Sequence, residues 1–251
     1  MDFKDVDLDE IILMMEDSLE DGNPEKMFTF LRGYFDGAHM HQSMEALGFA
    51  RDSHAGQTRQ GDLPYIIHPL CMACYAIGIK ICDDKIIAAM LLHDVPEETG
   101  ISFSSLPVDD EVRLIVDCMT IQPYPNETKW QCKERYFNGL LRHPGAIICK
   151  CADRFDNLGT MEGIMPLSSI ENNVIETKYL LLPITKAAKD KWPSLYDHIN
   201  TYRHNIKVLC RMLYNAHNVK AKEKEIIQKM MTTPAHPKFA VPQTNQQTTT
   251  V

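Results

Sequence analysis

The chain has 251 residues, 44% hydrophobic and 24% charged, with a formal net charge of −8. Those proportions suit a globular protein with a sizeable core, and the acidity excludes broad binding along a nucleic-acid backbone, which needs a basic face. No apolar run reaches the ~20 residues of a membrane span, and the acidic opening MDFKDVDLDE is unlike a secretory leader, so a cytoplasmic location with reduced cysteines is expected.

In chain order, LDEIILMMEDSLEDG and PEKMFTFLRGYFDG read as two amphipathic helices, the second opened by Pro24. A third helix is expected from about Met40 to Ala55, followed by the polar turn GQTRQGDLP. PLCMACYAIGI gives a helix from Pro69, and DDKIIAAMLLHD, apolar on every side between its polar ends, belongs at the centre of a bundle. Pro96 then reads as a breaker acting on Val95. In DDEVRLIVDCM, Val112, Ile115, Val116 and Met119 form one buried stripe.

TKWQCKERYFNGLL and AIICKCADRFDNLGTM are further helices, separated by RHPG and followed by the loop EGIMPLSS. Ser168 or Ser169 is expected to cap IENNVIETKYLLL, and Pro183 to kink or end it. One last helix runs from about Leu195 to Met231, and the aperiodic remainder reads as a disordered tail. No sustained alternation suggests a sheet, so the fold class is all-α. The expected organisation is an N-terminal helical extension over 1–38, one core domain over 39–231 and a tail over 232–251. The CxxC of Cys71 and Cys74 and the CxC of Cys149 and Cys151 could hold zinc, but in apolar helical segments they are expected to pack as small hydrophobes.

The chemistry concentrates where polar groups meet apolar surroundings. His93 and Asp94 end the most apolar helix, where an unpaired carboxylate would cost several kcal/mol, about. His68 lies between apolar residues in PYIIHPL, and Asp153 follows an apolar run in CKCADRFDN. Taken singly each has a plainer reading: a solvated helix end, a histidine bonded to a backbone carbonyl, an aspartate paired with Arg154. Together the two imidazoles and two carboxylates suit manganese or iron(II), with positions left for water and substrate oxygens. Glu97, three residues past Asp94, could orient or deprotonate such a water. Arg59 could grip phosphate or stack on a base, and Asn157 shares a helix face with Asp153.

In this order, HAGQTRQGDLPYIIHPL, AAMLLHDVPEETG and KCADRFDNLGTM resemble the HD-domain hydrolases of the RelA/SpoT type, including the small stand-alone alarmone hydrolases. The resemblance spans about residues 40 to 185 and reaches IETKYLLLPITKAA. It implies an HD-domain helical bundle, here with two extra N-terminal helices and a long C-terminal helix. It also implies a metal on His68, His93, Asp94 and Asp153, with manganese the first expectation and iron(II) or another divalent cation the alternative. Glu97 and Glu98 then occupy the paired catalytic acid positions, and Arg59, Asn157 and Thr160 the contacts to a guanosine nucleotide. The implied reaction removes the 3′-pyrophosphate of ppGpp or pppGpp, giving GDP or GTP. Glu98 stands where the family usually has aspartate; Gln60 and Gly61, and Asp156 and Gly159, replace residues that are often basic or polar. A substrate wall poorer in positive charge is therefore expected, which keeps two alternatives in view: hydrolysis of another nucleotide or NADPH, and a silent module binding a nucleotide or a partner. The expected ligand is a small nucleotide, with no nucleic acid or membrane partner; a homo-oligomer is left open.

Overall fold

The computed structural model describes residues 23–59 and 63–236. The first expected helix, Gln60 and Gly61, and the tail beyond 236 lie outside those residues. Twelve α-helices are described: α1 (Pro24–Gly37), α2 (His41–Ser53), α3 (Ile67–Gly78), α4 (Asp84–Leu92), α5 (Val95–Thr99), α6 (Asp110–Met119), α7 (Lys129–Gly139), α8 (Pro144–Thr160), α9 (Leu167–Glu176), α10 (Leu182–Lys191), α11 (Tyr196–Ala216) and α12 (Val219–Thr232). Among the described residues there is no strand, only isolated bridges pairing Thr58 with Pro64 and Thr128 with Pro234. The all-α reading holds.

Helix α4 is the axis of the bundle. Every residue from Ile86 to Leu92 is buried, as expected of a helix with no polar face, and it packs against α2, α3, α6 and α8. Its start is fixed twice. Asp83 caps it by accepting from the amides of Lys85 and Ile86, while the Asp84 carboxylate accepts from the amides of Gln42 (3.0 Å) and Ser43 (2.7 Å) at the start of α2. Helices α3, α4 and α8 are mutual neighbours, so residues at the ends of α3 and α4 can meet the middle of α8. Close approach helps here: a Cβ on Gly145, in the first turn of α8, would lie 2.8 Å from Ile115 Cδ1 on α6. Helix α1 is part of the same core, to which it contributes Leu31 and Phe35.

Several sequence expectations are corrected. Pro96 does not stop a helix; it sits in the first turn of α5, where its missing N–H has no intrahelical partner to lose and its fixed φ fits the helix. Gly100, at φ 74°, ends that helix. Ser168 and Ser169 do not cap α9; it starts earlier, at Leu167 behind Pro166, with no side-chain cap. Pro183 neither ends the next helix nor stands alone as a kink. The chain passes from α9 through a π-helical turn at Thr177–Leu181 into α10, with Pro183 in its first turn; widening the ladder accommodates the missing donor. The single helix expected from Leu195 to Met231 is two, α11 and α12, broken at Asn218 with φ 48°, a conformation asparagine tolerates better than most residues. The tail boundary also moves. The Lys129 amide donates to Thr233 O (2.8 Å) and the Ala235 amide to Glu127 O (2.9 Å), so residues 233–235 are fastened to the start of α7. All eight cysteines are free. No helix of the described residues is long and apolar enough to cross a membrane.

Candidate metal centre and cleft

Three neighbouring helices deliver four polar side chains to one buried place. His68 comes from the first turn of α3, His93 and Asp94 from the turn between α4 and α5, and Asp153 from the middle of α8. His68 Nε2 lies 3.3 Å from Asp153 Oδ1 and 3.8 Å from Asp94 Oδ2. His93 Nε2 lies 3.2 Å from Asp94 Oδ1 and 3.8 Å from Asp153 Oδ1. His68, His93 and Asp94 each offer a ligand atom within 4.8 Å of the others.

Every member is oriented by a further contact. His93 Nδ1 donates to Met90 O (2.9 Å), which leaves Nε2 as the nitrogen turned toward the carboxylates. His68 Nδ1 faces Asp156 Oδ2 at 2.5 Å, with the same result for its own Nε2. Asp94 Oδ2 accepts from the Tyr65 hydroxyl (2.6 Å). Asp153 Oδ2 accepts from Lys150 Nζ (2.6 Å), and its Oδ1 accepts from Asn157 Nδ2 (2.5 Å). Polar atoms this deeply buried normally find partners, yet His93 Nε2 makes no well-aligned hydrogen bond although Asp94 Oδ1 lies 3.2 Å away. Such an imidazole nitrogen amid two carboxylates and a second imidazole is a donor set that fits a divalent cation.

The charges tell the same story. Burial by itself would lower the His93 pKa, but the negative charges of Asp94 and Asp153 overcome it and raise it to about 10. Burial would likewise raise Asp153; Lys150 and the two imidazoles win and hold its carboxyl well below the usual range. The place therefore attracts positive charge, whether as protons or as a cation.

A cavity of about 460 Å³ opens onto His93, Asp94 and Asp153, within the usual range for small-molecule sites. Glu97 and Glu98 line it beside His93, Asp94 and Asp153. Glu97 is anchored by the Ile121 amide, which donates to its Oε1 (2.6 Å). Arg59 and Asn157 also line the cavity and bond to each other, Arg59 NH2 donating to Asn157 Oδ1 (2.6 Å). Thr160 sits apart from this group. Its hydroxyl donates to Asp156 O (3.0 Å), and it lines a smaller apolar pocket of about 30 Å³ that shares Arg59 and Met165 with the cavity.

Sequence reasoning missed part of the wall. Lys133 from α7, Lys150 from α8 and Asn173 from α9 line the cavity, two of them cations outside the positions where a wall poorer in positive charge was expected. Lys150 stays cationic because Asp153 outweighs the cost of its burial. Its spacing, three residues before Asp153, was the available signal; Lys133 carried none. Arg154 pairs with Glu176 at 3.2 Å rather than with Asp153, and Lys133 reaches the same Glu176 oxygen at 3.2 Å. Asp156, read only as a departure from a motif, is the partner of His68.

Residues 46–135 match the HD domain family, a span that includes His68, His93, Asp94, Glu97 and Glu98 and stops before Asp153. The chain is 26% identical over 149 residues to the bifunctional (p)ppGpp synthase/hydrolase SpoT of Escherichia coli, covering 57% of this chain and 21% of that protein. It is 31% identical over 146 residues to a probable guanosine-3′,5′-bis(diphosphate) 3′-pyrophosphohydrolase of Synechocystis, covering 55% of this chain and 19% of the relative. The chain thus spans about a fifth of the length of these relatives. A solved structure titled as a metazoan ortholog of SpoT that hydrolyses ppGpp shows a loose likeness, with a TM-score of 0.46 and 21% identity over 71% of this chain and 96% of that one.

Proposed function

We propose that this chain, whose residues 46–135 match the HD domain family, is a hydrolase of the RelA/SpoT type that removes the 3′-pyrophosphate of ppGpp or pppGpp, releasing pyrophosphate and GDP or GTP. The observation that carries this reading is the convergence of His68, His93, Asp94 and Asp153, with His93 Nε2 left without an aligned hydrogen bond. These four would hold the ion, for which manganese is our choice. Bound there, a divalent ion supplies a water of lowered pKa and screens phosphate charge.

The remaining work falls to the protein's own groups. Glu97 and Glu98 line the cavity with His93, Asp94 and Asp153, and Glu97, held by the Ile121 amide, is in a fixed position to take a proton from the attacking water. Glu98 faces the same space and would return a proton to the leaving oxygen. Lys133, Lys150 and Arg59 also line the cavity and would offer cations to phosphate oxygens. Each of these cations already has a carboxylate partner, Arg59 with Asp156 at 3.4 Å, Lys133 with Glu176 at 3.2 Å and Lys150 with Asp153 at 2.6 Å, so phosphate oxygens would compete with those partners. We place the activity in the cytoplasm, where eight free cysteines stay reduced.

The test is turnover of ppGpp, pppGpp and NADPH by manganese-loaded protein, followed as pyrophosphate or phosphate release. Pyrophosphate from ppGpp is expected. Because the bound ion contributes several kcal/mol to transition-state stabilisation, His93→Ala and Asp153→Ala should lower the rate by about a thousandfold or more while remaining folded. Metal-loaded protein inert toward both guanosine substrates would overturn the reading, and phosphate release from NADPH alone would move it to a different substrate.

A further inference from the structure

Asp156 stands where HD hydrolases of this type commonly carry histidine, and its surroundings give it a definite task. Its side chain is largely buried, 13% exposed, and its Oδ2 lies 2.5 Å from His68 Nδ1. His68 is itself 1% exposed and sends its other nitrogen to Asp153 and Asp94. Arg59 NH1 approaches the same Oδ2 at 3.4 Å, while the Thr160 hydroxyl donates to the Asp156 backbone carbonyl within α8. A carboxylate on the far nitrogen of a ligating imidazole fixes the tautomer, aligns the ring and makes the near nitrogen a better donor. His93 has only a backbone carbonyl in that role.

We propose that Asp156 is a positioning residue of the metal centre, holding His68 in the Nδ1–H tautomer so that Nε2 serves as a ligand. This rests on the metal reading above and adds to it a residue outside the ligand set. The aspartate at this position then has a purpose: it sets a negative group against a ligand.

The test uses the full chain and the metal alone. Manganese affinity is measured by titration for wild type, Asp156→Asn, Asp156→Ala and Arg59→Gln, and zinc serves as a diamagnetic probe for ¹⁵N spectra of the histidine rings, with His68 assigned by its loss in His68→Gln. Asp156→Ala should bind manganese about 10- to 100-fold more weakly and lose the hydrogen-bonded His68 Nδ1–H signal. Asp156→Asn keeps an acceptor but no charge, so it should retain that signal with an intermediate affinity; it also serves should the alanine variant not fold. Arg59→Gln, which loosens the Asp156 carboxylate without removing it, should weaken manganese binding by less than Asp156→Ala does. Wild-type affinity and an unchanged His68 signal in both Asp156 variants would overturn the proposal, as would a loss in Arg59→Gln equal to that in Asp156→Ala. A wild-type protein with no metal affinity would instead overturn the metal reading itself, and this inference with it.

Discussion

At one end of the cleft two imidazoles and two carboxylates share a buried position, each aimed by a second group: Met90 O, Asp156, Tyr65, Lys150 or Asn157. At the other end Lys133 from α7 and Arg154 from α8 face Glu176 of α9. The first end holds an excess of negative charge and a nitrogen without an aligned hydrogen bond; the second is a set of cations already paired with a carboxylate. A ligand with phosphate groups would have to compete with Glu176 for Lys133 but would find no competitor for a cation at the first end. The contrast separates residues whose partner is outside the protein from residues whose partner is within it.

The largest effect that bears on this contrast is on stability. Glu176 is buried between Arg154 and Lys133, and removing it leaves the Arg154 guanidinium inside with Asn173 as its remaining partner. Breaking a buried pair in this way costs about 3–5 kcal/mol. Glu176→Ala should show that loss in denaturant unfolding, whereas Asp153→Ala, which relieves crowding of two carboxylates as well as unpairing Lys150, should lose less. A loss below about 1 kcal/mol for Glu176→Ala would mean that the cation end is not held by internal pairing.

The two ends also differed in how far the sequence disclosed them. His68, His93, Asp94 and Asp153 stand out because each interrupts an apolar segment, where an unpaired polar group is costly. Lys133 does not, because in TKWQCKERYF a lysine is an ordinary surface residue and only the packing of α7 turns it toward the cleft. The same distinction runs through the fold. Helix α4 was legible from its lack of a polar face, and the start of α1 from Pro24. The role of Pro96 was not, since a proline that ends one helix and one that opens the next look alike unless the direction of the chain is known. The π turn before Pro183 and the break at Asn218 depend likewise on where the neighbouring helices lie. Asp156 was seen only as a missing histidine, because its use depends on a residue 88 positions away.

A smaller effect concerns binding. Lys133 is a third exposed, so its bond to an incoming phosphate keeps only the lower end of the ~1.5–3 kcal/mol of a charged hydrogen bond. Lys133→Met should raise the KM for ppGpp roughly tenfold with kcat little changed, the pattern of lost uniform binding. A kcat loss at constant KM would sharpen the comparison in the other direction, by assigning Lys133 to the transition state.

The smallest effect comes from the same helix, two residues on. Arg135 points away from the cleft, donating to Glu127 Oε1 at 2.7 Å, and this bond, with the Tyr124 amide, pulls the Glu127 pKa from 4.5 down to about 2. A lowered folded-state pKa means the pair stabilises the protein above pH 4.5, and that contribution fades as the pH falls from 4.5 toward 2. Glu127→Gln keeps an acceptor for Arg135 and removes the charge, so its stability should decline less steeply across that window than that of wild type. At pH 7 the two should differ by less than about 1 kcal/mol, because Arg135 is more than a third exposed and water screens the pair. Urea unfolding at pH 7, 4.5 and 3 measures both quantities. Parallel curves would mean that Glu127 titrates alike in the folded and unfolded chains. A difference at pH 7 as large as that of Glu176→Ala would remove the distinction between the exposed and buried pairs, and burial would no longer explain why the cation end of the cleft is fixed.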